Sequence, residues 1–158
     1  MGKKIKHVLD KLVDWTVIIL LTCMIIITFG QVVCRYVLQS PPNWTDEVAR
    51  YMSVWLTFLG AAIAFRLGAH LGVDYFVGLL PGNGRSIAGI FINIVLCIVL
   101  FFVITLGYQQ AQFVKIQLSP ALRLPMNIPY LAIPVGGALM LVEVLNNTWK
   151  EIRKLIKA

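Results

Sequence analysis

Ionisable residues are spaced along this chain so that four long apolar windows remain. Twenty uncharged residues separate Asp14 from Arg35, and fifteen separate Arg50 from Arg66. A further 29 separate Arg85 from Lys115, and 19 separate Arg123 from Glu143. An α-helix rises about 1.5 Å per residue, so crossing ~30 Å of hydrocarbon takes about 20 residues. The windows therefore predict four transmembrane helices, approximately 15–35, 46–66, 86–110 and 127–146. Helix breakers fall between them: "SPPNW" after the first, "LPGNGR" after the second and "LSPALRLPMNIP" after the third. Pro and Gly in these stretches stop helices and supply turns. No internal repeat is evident, and the loops leave no room for a soluble domain. The expected fold is one all-α integral membrane domain spanning residues 1–158, with basic tails at 1–14 and 147–158.

Composition agrees with lipid as the solvent. Hydrophobic residues make up 59% of the chain, against roughly 45–50% in soluble domains. A soluble chain of 158 residues has too little interior to hide that much apolar surface. The net charge of +7 would suggest nucleic acid if it formed a stripe on a folded surface. Instead eight of the fourteen Lys and Arg residues lie in the two tails: Lys3, Lys4, Lys6, Lys11, Lys150, Arg153, Lys154 and Lys157. Such clusters flank membrane segments and face anionic lipid headgroups, so membrane lipids are expected partners and nucleic acid is not. With four spans the termini share one side with the middle loop. That side carries ten basic residues, Arg66 and Arg85 included, and the other carries Arg35, Arg50, Lys115 and Arg123. The positive-inside rule then places both termini in the cytoplasm.

Processing signals do not change this picture. "MGKKIKH" resembles the start of a signal peptide, but the apolar run behind it is too long and no A-x-A site follows. Lys6 occupies the position that a myristoylation motif gives to Ser or Thr. Cys23, Cys34 and Cys97 are odd in number and widely spaced within apolar runs. They read as free packing residues rather than a disulfide or zinc framework.

The second window is the short one. Its fifteen uncharged residues give only about 22 Å of helix. The helix must therefore draw on the flanking "WTDEVAR", Trp44 to Arg50. Asn43 is a candidate cap, and Asp46 and Glu47 in the first turn complement the helix dipole. Arg50 stands i+4 from Asp46 and i+3 from Glu47, so either acid could neutralise it on one face. Two readings stay open: a capped terminus with snorkelling charges, or a polar contact with another membrane subunit. Gly60, Ala64, Gly68 and Gly72 recur every four residues and form a small-residue groove, packing within the chain or against a partner. Arg66, His70 and Asp74 are also spaced i,i+4, as cytoplasmic anchors or a second contact point.

Chemistry inside the membrane is sparse. A carrier of ions or polar solutes needs ionisable groups at mid-membrane, often beside broken helices. The first window has almost none. The third has Asn93 and "QQAQ" near one end, and the fourth has Pro134, Gly136 and Gly137, where a kink is plausible, before Glu143. Two histidines, one of them in the basic tail, make haem ligation by facing helices unavailable. No phosphate loop or nucleophile–base arrangement is present. No enzymatic function is expected; a small membrane protein poor in site chemistry most plausibly works by binding another membrane protein.

Arg35, then "WTDEVAR", "VWLTFLGAA" and "RLGAH" in this order resemble the small (Q-type) membrane subunit of tripartite ATP-independent periplasmic (TRAP) transporters. The likeness is densest from Arg35 to about Asp74 and extends over nearly the whole chain by span layout and length. It implies a complex in the bacterial inner membrane. There a periplasmic binding protein delivers an organic anion, such as sialic acid or a C4-dicarboxylate, to a large membrane subunit. That subunit would import it with sodium ions, by an elevator-type domain that holds the substrate and sodium sites. This chain would then be a scaffold and anchor, with no substrate, metal or cofactor site of its own. The interface or structural residues expected are Arg35, Trp44, Asp46, Glu47, Arg50, Gly60, Ala64, Arg66, Gly68 and His70. Two other functions compete: a self-sufficient homodimeric small transporter, and a membrane anchor for a redox enzyme. The first usually places an acid deep in the first span, and Trp15 to Cys34 offers none.

Overall fold

The computed structural model describes residues 2–40, 42–67 and 83–157. Within these residues the chain forms α1 (Gly2–Tyr36), α2 (Thr45–Arg66), α3 (Asn83–Phe113), a short α4 (Asn127–Tyr130) and α5 (Ala132–Lys157). Four stretches are long and apolar enough to cross a membrane: Lys6–Tyr36, Thr45–Arg66, Ala88–Ile116 and Asn127–Trp149. α1 has 35 residues, about 52 Å of helix. It carries the helix straight through the basic stretch that the sequence suggests as a tail. α5 likewise continues through the C-terminal basic residues to Lys157. α2 runs 22 residues, about 33 Å, so the short apolar window becomes a full span by including Asp46, Glu47, Arg50 and Arg66.

α5 is the centre of the assembly. It packs on both α2 and α3, while α1 packs on α2. The core gathers Ala62 from α2, Leu100 from α3, and Met140 and Val144 from α5, with Phe58, Phe65 and Leu96 packed around them. Glycines set how closely these helices approach. A Cβ added to Gly136 would sit 2.5 Å from Phe58 Cβ and 3.0 Å from the Phe58 carbonyl oxygen. One on Gly107 would sit 2.6 Å from Ile133 Cγ2, and one on Gly137 2.9 Å from Ile104 Cγ1. Small residues let backbones meet and gain dispersion contacts that lipid cannot supply better. Gly136 and Gly137 are therefore contact positions within α5. Pro134 lies in the first turn of α5, where its missing N–H leaves no gap in the ladder.

The lipid-facing surfaces follow from what is left over. α1 exposes Trp15, Ile18, Ile19, Ile25, Ile26 and Phe29, and α3 exposes Phe91, Ile94, Ile98, Val99, Phe101 and Phe102. In water such surfaces would be intolerable; in hydrocarbon they cost nothing.

Candidate functional site

Among the described residues, the ion pairs gather near the two ends of α2. At the Thr45 end, the helix begins without a side-chain cap. Trp44 occupies the cap position, and the Thr45 hydroxyl donates instead to the Pro42 carbonyl at 2.8 Å. Asn43 does not cap the helix. Asp46 accepts a hydrogen bond from the Gln31 amide of α1 and lies 3.8 Å from the Arg35 guanidinium. Gln31 is buried, so this contact satisfies an amide that would otherwise be stranded between helices.

Glu47 reaches in another direction. Residues 117–126 form a tight hairpin loop: Met126 N–H donates to the Gln117 carbonyl and Ser119 N–H to the Leu124 carbonyl, both at 2.9 Å. Arg123 adopts a positive φ of 53° to close it, a conformation that a non-glycine residue holds only where its surroundings demand it. The loop leaves two adjacent N–H groups at its tip, and Glu47 Oε2 accepts both, from Ala121 at 3.0 Å and Leu122 at 3.1 Å. Its other oxygen accepts from the Tyr51 hydroxyl, one turn along α2. Hydrogen bonds to a charged acceptor are stronger than those to a neutral one, although water competes at the exposed Ala121.

The neutralisation of Arg50 by Asp46 or Glu47, expected from helical spacing, does not occur, because both acids are taken by partners from other elements. Arg50 is exposed. Among the described residues its guanidinium makes no ion pair and no hydrogen bond. It borders a cleft of about 550 Å³ whose walls include Val54, Pro120, Met126, Tyr130 and Ile133.

At the Arg66 end the guanidinium inserts between two acids of α1. One nitrogen bonds Asp14 and the other lies 3.6 Å from Asp10. Asp10 and Asp14 are spaced i,i+4 and share a face, so without Arg66 they would repel. A second pair joins α1 to α5: Lys6 Nζ lies 2.7 Å from Glu143 Oε2, whose side chain is only 9% exposed. Asn147 of α5 donates to the Phe65 carbonyl at 3.4 Å, near the end of α2 where helix carbonyls lack intrahelical donors. Here three helices are joined by charge within a narrow layer, around a cleft of about 550 Å³ lined by Leu9, Val13, Ile63, Leu139 and Val142 among others.

Of the residues expected to matter, the structure thus brings Arg35, Asp46, Glu47 and Arg66 into specific contacts and leaves Arg50 outward. Ala64 is half-buried, and a Cβ on Gly60 would meet nothing within 4 Å. Gly68 and His70, with Gly72 and Asp74, lie outside the described residues. Gln31, Tyr51, Asp10, Asp14 and the loop amides were not foreseen as partners. The acid pair within a basic segment was the one local signal of them.

These features define a small, all-helical, multi-pass membrane protein in which several polar side chains tie its own helices together. The family model described as "Tripartite ATP-independent periplasmic transporters, DctQ component" matches residues 24–154, and the chain belongs to that family. It is a family of transporter subunits and not an enzyme class. A Haemophilus influenzae protein assigned by name as a TRAP transporter small permease is 31% identical over 140 residues, covering 89% of this chain and 87% of that one. The sialic acid TRAP transporter small permease protein SiaQ of Vibrio cholerae is 23% identical, over 98% of this chain and 89% of its own length. The isethionate TRAP transporter permease protein DctMQ of Oleidesulfovibrio alaskensis is 32% identical over 85% of this chain, but the match spans only 22% of that protein.

Proposed function

We propose that this chain is the scaffold subunit of a TRAP transporter and does not itself carry the substrate. The observation that carries this reading is the use to which its charges are put. Asp46, Glu47, Arg66, Asp10, Asp14 and Glu143 are bound to other parts of the same chain, and they sit at the ends of the spans. A translocation path needs polar groups that exchange partners with a solute at mid-membrane; ties that hold helices together are unsuited to it.

The chain works beside a large permease subunit that holds the substrate and sodium sites and imports an organic anion handed over by a periplasmic binding protein. Sialic acid and C4-dicarboxylates are the candidate substrates, since relatives carry those names. Its own share of the task is to enlarge and anchor the static part of the complex, without a cofactor. The family suggests the bacterial inner membrane as its location, and the Lys and Arg distribution supports placing both termini and the Arg66 end of α2 in the cytoplasm. The Thr45 end and the 117–126 loop then face the periplasm.

Affinity purification of the tagged chain from its native membrane tests the reading. The expected result is co-purification of a large polytopic permease in fixed ratio. Recovery of the chain alone, or with a redox enzyme and a haem absorbance band, would reject it.

A further inference from the structure

Through most of the membrane, the outward surface of α2 is unlike that of its neighbours. α1, α3 and α5 all turn large apolar side chains outward, among them Phe29, Phe102 and Leu145. From Thr45 to Arg66 no large hydrophobic side chain is exposed. Besides Asp46 in its first turn, the positions of α2 that face out are Arg50, Ser53 and Thr57, and helical spacing continues their line through Gly60 and Ala64. Ser53 and Thr57 donate to carbonyls of their own helix, at 2.8 Å each. Thr22 on α1 does the same, so hydroxyls alone do not set this face apart. What does is their conjunction with the open space at Gly60, the absence of bulk, and an unpaired charge.

Arg50 is the second, independent mark. An arginine one turn inside a membrane helix is costly when unpaired, and such residues normally face protein or water and pair. Asp46 and Glu47 are both within helical reach of it, yet both are engaged elsewhere. The guanidinium is thereby left for a carboxylate that this chain does not supply, beside a cleft wide enough to admit one.

We propose that the outward face of α2, from Arg50 and its cleft through Ser53, Thr57, Gly60 and Ala64, is the seam on which a transmembrane helix of the large permease packs. That helix carries an Asp or Glu near its periplasmic end, and the carboxylate pairs with Arg50. The inference rests on the reading of this chain as a subunit beside a large permease. The fused relative favours that occupant over lipid or a second copy, because there the matching segment is 22% of one permease polypeptide. Close approach at Gly60 provides packing that lipid would not, and the Arg50 pair fixes register along the seam.

The test uses the full chain co-expressed with the large permease of its own transporter. A benzophenone amino acid is placed at Ser53 or Thr57, and for comparison at Ile25, Ile98 or Phe102. Irradiation should join positions 53 and 57 to the large permease at least tenfold more than the comparison positions. Arg50→Glu should lower co-purified permease at least tenfold and Arg50→Lys by less than threefold. Cross-links that instead concentrate at Ile25, Ile98 or Phe102 overturn the seam while leaving the subunit reading intact. Homodimer cross-links from 53 and 57 overturn it in favour of a second copy. Failure of the unaltered chain to bring down any large permease overturns both readings. The cross-linking arm retains Arg50, so it decides the matter even if Arg50→Glu does not fold.

Discussion

At the Arg66 end of α2, one guanidinium lies between two carboxylates of α1, and a nearby lysine meets a buried carboxylate of α5. At the Thr45 end, both acids turn away from the arginine beside them: Asp46 goes to Gln31 and Arg35, and Glu47 to loop amides. Charge is consumed internally at one end, while at the other a cation is left outward. The difference teaches that similar charge patterns at a helix end can close a fold or leave it incomplete. Which one applies depends on partners distant in sequence: Lys6 and Glu143 are 137 residues apart, and Glu47 and Leu122 are 75 apart.

The sharpest way to break the comparison is to remove the charge that closes the Arg66 end. Arg66→Ala leaves Asp10 and Asp14 facing each other in a half-buried site. Loss of one partner of a buried pair costs about 3–5 kcal/mol; partial exposure here reduces this to roughly 2–3 kcal/mol. Thermal unfolding of the purified chain in detergent should show it, and Asp14→Ala added to Arg66→Ala should recover part of the loss. A double variant no more stable than the single one would refute the repulsion account.

Next in size is Glu47→Ala, which strips two loop N–H groups and Tyr51 of their acceptor. Stability should fall, and amide exchange at Ala121 and Leu122 should accelerate in particular. Glu47→Gln keeps an acceptor oxygen and should cost about half as much. Equal exchange rates in Glu47→Ala and the unaltered chain would show that the loop holds itself.

Smaller effects sharpen the contrast. Asp46→Ala removes an ion pair whose side chains are 53% and 62% exposed, worth at most about 1 kcal/mol, together with the acceptor of buried Gln31. Arg50→Ala should leave the isolated chain within about 0.5 kcal/mol of its original stability, while co-purification of the large permease falls. Destabilisation of the isolated chain by Arg50→Ala as large as that from Arg66→Ala would erase the distinction between the two ends.

Much of the fold was legible because lipid imposes a simple rule: each span needs enough uncharged length. The rule even fixed α2, where too few uncharged residues between Arg50 and Arg66 required the helix to recruit Asp46 and Glu47. Helical spacing was a poorer guide to pairing. It offered Asp46 and Glu47 to Arg50, yet the buried Gln31 amide and the bare N–H groups of the 117–126 loop hold those acids through contacts that no local window contains. The glycines divide in the same way. Gly60 drew attention by its periodic stripe but faces open space, whereas Gly136 lies against Phe58 with only a neighbouring Gly137 to mark it. Spacing identifies what a helix can present, and tertiary contacts decide what it meets.

Uptake into proteoliposomes tests the central claim most directly, that this subunit supports transport without carrying substrate. Vesicles containing this chain alone, this chain with the large permease, or neither would be given labelled sialic acid and a C4-dicarboxylate, with the cognate binding protein and an inward sodium gradient. The account predicts uptake only where both membrane subunits are present. Uptake above the empty-vesicle level by this chain alone would contradict it.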